Sequence, residues 1–171
     1  HARKGSRRYL TAAPGRGILA ARLGPRASIE TLDYGEELNL KGVRVSLHPA
    51  GHILGSAQVR IEYQGEVWVV SGDYKVAPDK TCATFEPIRC HTFITEATFG
   101  KPSFVWPDQQ QVFDEIHDWW RTNQKAGRVS ILYAYALGKA QRIHAGLNPR
   151  LGPIYLHPDV EQLTLEYRLA G

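Results

Sequence analysis

Alternating apolar and polar positions dominate the first hundred residues and predict a series of β-strands. We predict strands at residues 6–10, 28–32, 37–40, 43–48, 57–63, 67–70 and 92–95. Gln64-Gly65 separates two of these runs and predicts a tight hairpin turn. Pro14 begins a predicted helix that ends near Leu23, because Gly24-Pro25 is a strong stop signal.

Helical spacing becomes prominent after residue 100. Pro107-Asp108 begins a helix in which Val112, Ile116, Trp119 and Trp120 recur at helical intervals, and Gly127 ends it. We predict a strand at 129–134, a helix at 137–147, a strand at 154–157 and a helix at 159–169, with Asp159 near its N-cap. Strands alternating with helices predict a parallel sheet, so the fold class is α/β. We expect two domains, residues 1–100 and 101–171.

The basic residues are concentrated in two segments. Residues 1–29 hold seven Lys and Arg and residues 119–158 hold six, and neither segment contains an acid. The remainder of the chain holds eight basic residues and all 17 Asp and Glu. This distribution favours a surface for an anionic polymer, nucleic acid first, and an ordinary solvated face is the alternative.

Other compositional features narrow the class of protein. Cys82 and Cys90 match neither a redox pair nor a zinc ribbon, so we expect reduced thiols in a cytoplasmic protein. The longest apolar runs, such as residues 67–70, are too short for a membrane span. The chain starts at His1 and has no methionine, so we expect it to be a piece of a longer protein.

Candidate catalytic residues lie where predicted strands end. His52 lies in a glycine-rich turn, Asp73 follows a buried strand, and Glu96 follows another. Imidazole and carboxylate groups that converge at one sheet edge suit zinc or a similar divalent metal. Each residue alone is more often structural, and the ordered set carries the hypothesis.

The ordered set resembles the metallo-β-lactamase fold nucleases of the β-CASP group. The matching stretches are HPAGHILGSA with His52, VVSGDYK with Asp73, ITEATFG with Glu96, and YALGKAQ in the second half. In particular, the chain is similar to the bacterial ligase-associated DNA exonucleases, also called mRNA 3′-end-processing-like exonucleases. The resemblance implies an α+β sandwich: a partial metallo-β-lactamase αββα fold, followed by the first part of an inserted β-CASP domain.

The resemblance also implies a metal site. His52 would bind one divalent ion, Asp73 would bridge two, and His1 would be the last histidine of an HxHxDH motif and bind the second ion. The ions would be zinc, with manganese as the alternative. Asp73 and Glu96 would be catalytic, with Glu96 assisting proton transfer. Each metal would have only two ligands from this chain, whereas zinc sites normally have three or four.

Several further residues have two interpretations. His48 either orients His52 and its loop or is structural. Gly138, Lys139 and Arg142 at a helix start predict a phosphate-binding patch, and a plain packed turn is the alternative. Trp119 and Trp120 suit base stacking or the core. The other histidines are expected to be structural or on the surface: His91, His117, His144 and His157.

The sequence supports three hypotheses of function. The favoured one is a metal-dependent phosphodiesterase with exonuclease activity on DNA, acting in repair beside a DNA ligase, with RNA processing as the variant within the group. The second is a truncated, non-catalytic chain that binds nucleic acid or a partner. The third is a small-molecule metallo-hydrolase, which the appended α/β segment disfavours.

Overall fold

The computed structural model describes residues 2–171, and its first half is built on two sheets. Strands β1 (Tyr9–Ala12) and β2 (Ile29–Leu32) pair in parallel, and helix α1 (Arg16–Leu23) connects them. The larger sheet contains β3 (Glu37–Leu40), β4 (Val43–Pro49), β5 (Ala57–Tyr63), β6 (Glu66–Val70) and β7 (Thr92–Ile94) in chain order. Its first three pairings are antiparallel, and β6 with β7 is parallel.

The predicted hairpin at Gln64-Gly65 is confirmed. Both residues have positive φ, 50° and 84°, which the two-residue turns that match the twist of antiparallel strands require. In the following strand Val67 and Val69 are buried while Trp68 is exposed, because successive side chains of a strand point to opposite faces of the sheet. The small sheet covers the large one where Ala12 and Leu32 meet Leu47 of β4.

Three longer helices form the second half of the chain. They are α2 (Gln109–Lys125), α3 (Lys139–Gly146) and α4 (Pro158–Leu169). Asp108 caps α2 through its carboxylate, which accepts hydrogen bonds from the Gln110 and Gln111 amides. At α4 the cap is His157, whose Nδ1 accepts from the Asp159 amide at 3.3 Å, so Asp159 lies one residue inside the helix. No helix within residues 2–171 is long and apolar enough to cross a bilayer.

The strands predicted at 129–134 and 154–157 are wrong. Residues 128–135 and 152–157 form neither helix nor strand, and the side chains of Val129, Tyr133 and Tyr155 are highly exposed. A strand needs the N–H and C=O groups of a neighbour, and parallel strands also need cover on both faces. Within the described residues neither segment has a strand partner, so the predicted parallel sheet does not form.

A buried carboxylate joins the two halves. The side chain of Asp79 is only 4% exposed and pairs with Lys75 and with Arg142 of α3, at 3.4 Å each. It also accepts hydrogen bonds from the Thr81 amide and hydroxyl, at 2.9 and 2.7 Å. Burial raises the pKa of Asp79, but the Thr81 hydrogen bonds and the two cations outweigh burial and hold the pKa below its usual value.

Asp79→Asn should therefore destabilise the fold by about 1–3 kcal/mol, because it removes a charge that two cations and two hydrogen-bond donors compensate. Urea unfolding at neutral pH measures this loss. The pKa of the Asp79 carboxyl is lower in the folded protein than in the unfolded chain. Its ionised form therefore stabilises the fold at pH values above the unfolded-state pKa, and this stabilisation is lost as the pH falls through the folded-state pKa. The difference between variant and parent should accordingly shrink as the pH falls below about 4, the ordinary pKa of an Asp in an unfolded chain.

Asp118→Asn is the matched control for Asp79. Asp118 pairs with Arg121 on the surface of α2, at 2.8 Å, and its side chain is 78% exposed. Its loss should cost at most about 0.5 kcal/mol. Equal losses from the two substitutions would contradict the structural role of Asp79.

Candidate metal-binding and catalytic site

The turn that carries His52 closes on its own hydrogen bonds. The Ser56 hydroxyl oxygen accepts from the amides of His52 and Ile53, at 3.0 and 3.2 Å. The Ala50 amide donates to the Ser56 carbonyl at 3.1 Å, and the Ser56 amide donates to the Ile53 carbonyl at 3.0 Å. With most of its polar backbone satisfied internally, the turn has a defined shape and presents the His52 imidazole to solvent.

Two tyrosines hold this turn from opposite parts of the chain. Tyr34, which follows β2, donates its hydroxyl to the Ser56 carbonyl at 3.0 Å. Tyr167 of α4 accepts a hydrogen bond from the Leu54 amide at 3.1 Å. Burial raises the pKa of Tyr34 to about 12 and also raises the pKa of Tyr167, so both phenols stay neutral at physiological pH.

Asp73 lies beside His52, three residues after the end of β6. Its Oδ2 is 3.9 Å from the His52 Nε2, and the two side chains are 48% and 42% exposed. The Lys75 amide donates to the Ala50 carbonyl at 2.9 Å, which ties the segment after Asp73 to the His52 turn. The imidazole and the carboxylate therefore face each other at an accessible edge of the sheet.

Glu96 reaches the same edge from β7. The Thr98 amide and side chain hydrogen-bond to the Glu96 carboxylate and lower its pKa, with a further lowering by His52 and an opposing effect of Asp73. The Thr98 amide lies 2.7 Å from Oε2. The structure thus brings the three predicted residues into one electrostatic neighbourhood, in which Glu96 is a carboxylate at neutral pH.

The donor types suit a divalent metal, but their number does not. Within residues 2–171 no group of three or more His, Cys, Asp or Glu is placed to hold a metal ion. His52 and Asp73 supply two donors, and a zinc site normally has three or four. The predicted ligand His1 lies outside the described residues. The described residues alone therefore do not fit a complete metal centre.

Comparisons with known proteins identify the group. No family model matches the chain. A probable DNA ligase of Opitutus terrae is 32% identical over 157 residues, or 90% of this chain. Endoribonuclease YSH1 of Yarrowia lipolytica is 31% identical over 83% of the chain, and transcription termination factor FttA of Thermococcus kodakarensis is 33% identical over 78%. The chain belongs to the β-CASP group of metallo-β-lactamase fold nucleases.

The chain is short relative to these members of the β-CASP group. It spans 15% of the Opitutus protein, 17% of the Yarrowia protein and 22% of the Thermococcus protein. Its mixed α/β content agrees with a partial metallo-β-lactamase and β-CASP fold. The boundary expected near residue 100 stays a prediction.

His48 interacts with residues other than His52. Its Nε2 lies 3.0 Å from the Ser46 hydroxyl, and its Nδ1 lies 3.0 Å from Glu86 Oε1. The Glu86 amide in turn donates to the Pro49 carbonyl at 3.1 Å. With both ring nitrogens engaged, His48 fixes the approach to the turn rather than the His52 ring itself, and its effect on the metal site stays a prediction.

The predicted phosphate patch is largely engaged internally. The Gly138 amide donates to Gln141 Oε1 at 2.7 Å, and a Cβ on Gly138 would lie 2.4 Å from Ile53 Cγ2. Gly138 is therefore glycine because the helix start packs against the His52 turn, with φ at 84°. Arg142 pairs with Asp79, whereas Lys139 is exposed, with its Nζ 4.9 Å from the Tyr135 ring centroid. Phosphate binding stays a prediction, and Lys139 is the residue best placed for it.

Sequence reasoning missed three residues that shape the site. Ser56 lies in the HPAGHILGSA stretch, four residues after His52. A serine at this spacing could have been predicted to accept a hydrogen bond from the backbone of the turn. Tyr34 and Tyr167 gave no local signal, because their partners lie 22 and 113 residues away in the chain.

Tyr167→Phe tests whether the second half of the chain holds the His52 turn. The substitution keeps the ring and removes the hydroxyl, so the Leu54 amide loses its acceptor. Hydrogen exchange of the Leu54 amide should accelerate about tenfold, which corresponds to the loss of one hydrogen bond of about 1–1.5 kcal/mol. Tyr155→Phe is the control, since the Tyr155 side chain is exposed to solvent and removal of its hydroxyl should leave the Leu54 amide unchanged. Unchanged exchange at Leu54 would show that the hydroxyl does not stabilise the turn.

Proposed function

We propose that this chain is part of a metal-dependent nuclease that hydrolyses phosphodiester bonds in nucleic acid. The observation that carries the proposal is the convergence of His52, Asp73 and Glu96 at one sheet edge in a member of the β-CASP group. The chain is a small fraction of its relatives, so further metal ligands would come from other parts of a longer protein.

The residues of this chain have separable roles in the proposal. His52 and Asp73 offer an imidazole nitrogen and a carboxylate oxygen 3.9 Å apart, as a partial ligand set for divalent ions, zinc before manganese. Glu96 is ionised at neutral pH, so its role in the proposal is to accept a proton from an attacking water rather than to donate one. The basic segments would contact phosphates with little sequence preference.

DNA is the substrate we favour, with exonuclease action and a role in repair beside a ligase. Similarity over 90% of the chain to a protein named probable DNA ligase supports this choice. Relatives named endoribonuclease and transcription termination factor favour RNA as the alternative. The two-donor site favours a second candidate, a chain that binds nucleic acid without cleaving it.

Nuclease assays with added Zn²⁺ or Mn²⁺ test the proposal on this chain and on the longer protein that would contain it. Labelled single-stranded DNA, duplex DNA and RNA serve as substrates. The longer protein should cleave and this chain should not, because each metal would have only two ligands from this chain and a zinc site normally has three or four. Absence of metal-dependent cleavage by the longer protein would refute the nuclease proposal.

Asp73→Asn and His52→Ala should each lower cleavage by the longer protein at least about 100-fold, the scale on which removal of a single catalytic group acts. Asp33→Asn, in an exposed turn after β2, is the control and should retain activity. Circular dichroism should show that all three variants fold. Full activity of Asp73→Asn would remove Asp73 from the site.

Lys139→Ala tests the remaining part of the phosphate patch. The variant should bind DNA more weakly at low salt and should lower the slope of log K against log salt by about one. Lys80→Ala, an exposed lysine outside both basic segments, is the control. If the salt dependence is the same for Lys139→Ala as for the parent, the α3 start is a packed turn without a role in binding.

A further inference from the structure

Three aromatic rings cluster on the segment that leaves the candidate site. After Glu96 the chain makes two tight turns, closed by hydrogen bonds from the Gly100 amide to the Ala97 carbonyl and from the Phe104 amide to the Lys101 carbonyl, at 3.1 Å each. These turns bring Phe99 edge-to-face with Phe104 and Trp106, with ring centroids 5.2 and 5.1 Å apart. Phe104 and Trp106 lie nearly parallel, at 18° and 6.2 Å.

The cluster is accessible although it is strongly apolar. Phe99, Phe104 and Trp106 are 54%, 43% and 65% exposed. The rings contact one another in favourable edge geometry, but they contribute little to a core. A contiguous exposed aromatic patch of this kind marks an interaction surface.

The position and charge of the cluster favour nucleic acid as its occupant. Phe99 lies three residues after Glu96, and the hydrogen bond from the Thr98 amide to Glu96 fixes the start of the segment at the site edge. Residues 97–107 contain no acid, and the exposed Lys101 lies between Phe99 and Phe104. The segment therefore combines π-faces for bases with a cation for a phosphate.

We propose that Phe99, Phe104 and Trp106 form a base-stacking platform that binds single-stranded nucleic acid next to the candidate site. The proposal rests on the proposed function for the identity of the ligand. A duplex hides the faces of its bases, so the platform selects unpaired nucleotides, and it does so with little sequence preference because every base has a π-face. A strand stacked on the rings is held close to Glu96.

Binding of a fluorescein-labelled oligo-dT of about 12 nucleotides, in EDTA, tests the platform without any dependence on cleavage. Trp106→Leu keeps an apolar side chain but removes the π-face, and it should weaken binding about tenfold or more. Trp106→Phe should restore most of the affinity. A duplex of the same length should bind more weakly to the parent chain and lose little on substitution.

Trp68→Leu is the matched control, because Trp68 is also exposed but lies on β6 within the sheet. Phe104→Leu is the second variant if Trp106→Leu does not fold by circular dichroism. Unchanged affinity of the leucine variants would overturn the platform and favour a protein segment or a second copy as the occupant, since leucine preserves an apolar contact. Equal losses for leucine and phenylalanine at position 106 would also overturn it.

The two proposals can fail separately. Loss of oligo-dT binding in Trp106→Leu, with no cleavage by the longer protein under any metal, would support the platform and refute the nuclease. Metal-dependent cleavage by the longer protein, with unchanged oligo-dT binding in Trp106→Leu, would support the nuclease and refute the platform.

Discussion

The parallel pairing of β6 with β7 is the constraint on which the candidate site depends. Adjacent parallel strands end at the same edge of a sheet, so the residues that follow them emerge side by side. The Ser71 amide continues the pairing by donating to the Ile94 carbonyl at 2.9 Å, just before Asp73 and Glu96 leave the two strands. An antiparallel β7 would direct Glu96 to the opposite edge, away from His52.

Helices α3 and α4 in the second half of the chain contact the turn and loop that form this edge of the sheet. Tyr167 of α4 contacts Leu54, and Gly138 at the start of α3 packs against Ile53. Arg142, one turn into α3, pairs with Asp79 in the loop after β6. This support changes the interpretation of Gly138 and Arg142. Both residues contact the first half of the chain, Gly138 by packing and Arg142 by an ion pair, and phosphate binding at this helix start stays a prediction.

The exposed apolar surface falls into two classes with different chemistry. Residues 128–135 form neither helix nor strand, most of their side chains are exposed, and they have no strand partner among the described residues. The rings of Phe99, Phe104 and Trp106 instead pack on one another within a segment closed by turns. Rings that pack on one another suit a planar ligand, whereas an apolar segment without a strand partner suits another strand.

Local sequence determined most of this protein's elements. Alternation placed β2 to β7 to within two residues, the Gln64-Gly65 turn followed from its residue types, and Asp108 and Gly127 marked α2, because these signals act over a few neighbouring residues. The motifs around His52, Asp73 and Glu96 likewise selected the residues that meet at one edge. Tertiary structure decided the rest. It determined that residues 129–134 and 154–157 do not form strands, that Gly138 and Arg142 contact the first half of the chain, that two tyrosines bind the His52 turn, and that three aromatic rings cluster. Each of these depends on which distant group lies within hydrogen-bonding or packing distance, and local residue patterns do not encode that distance.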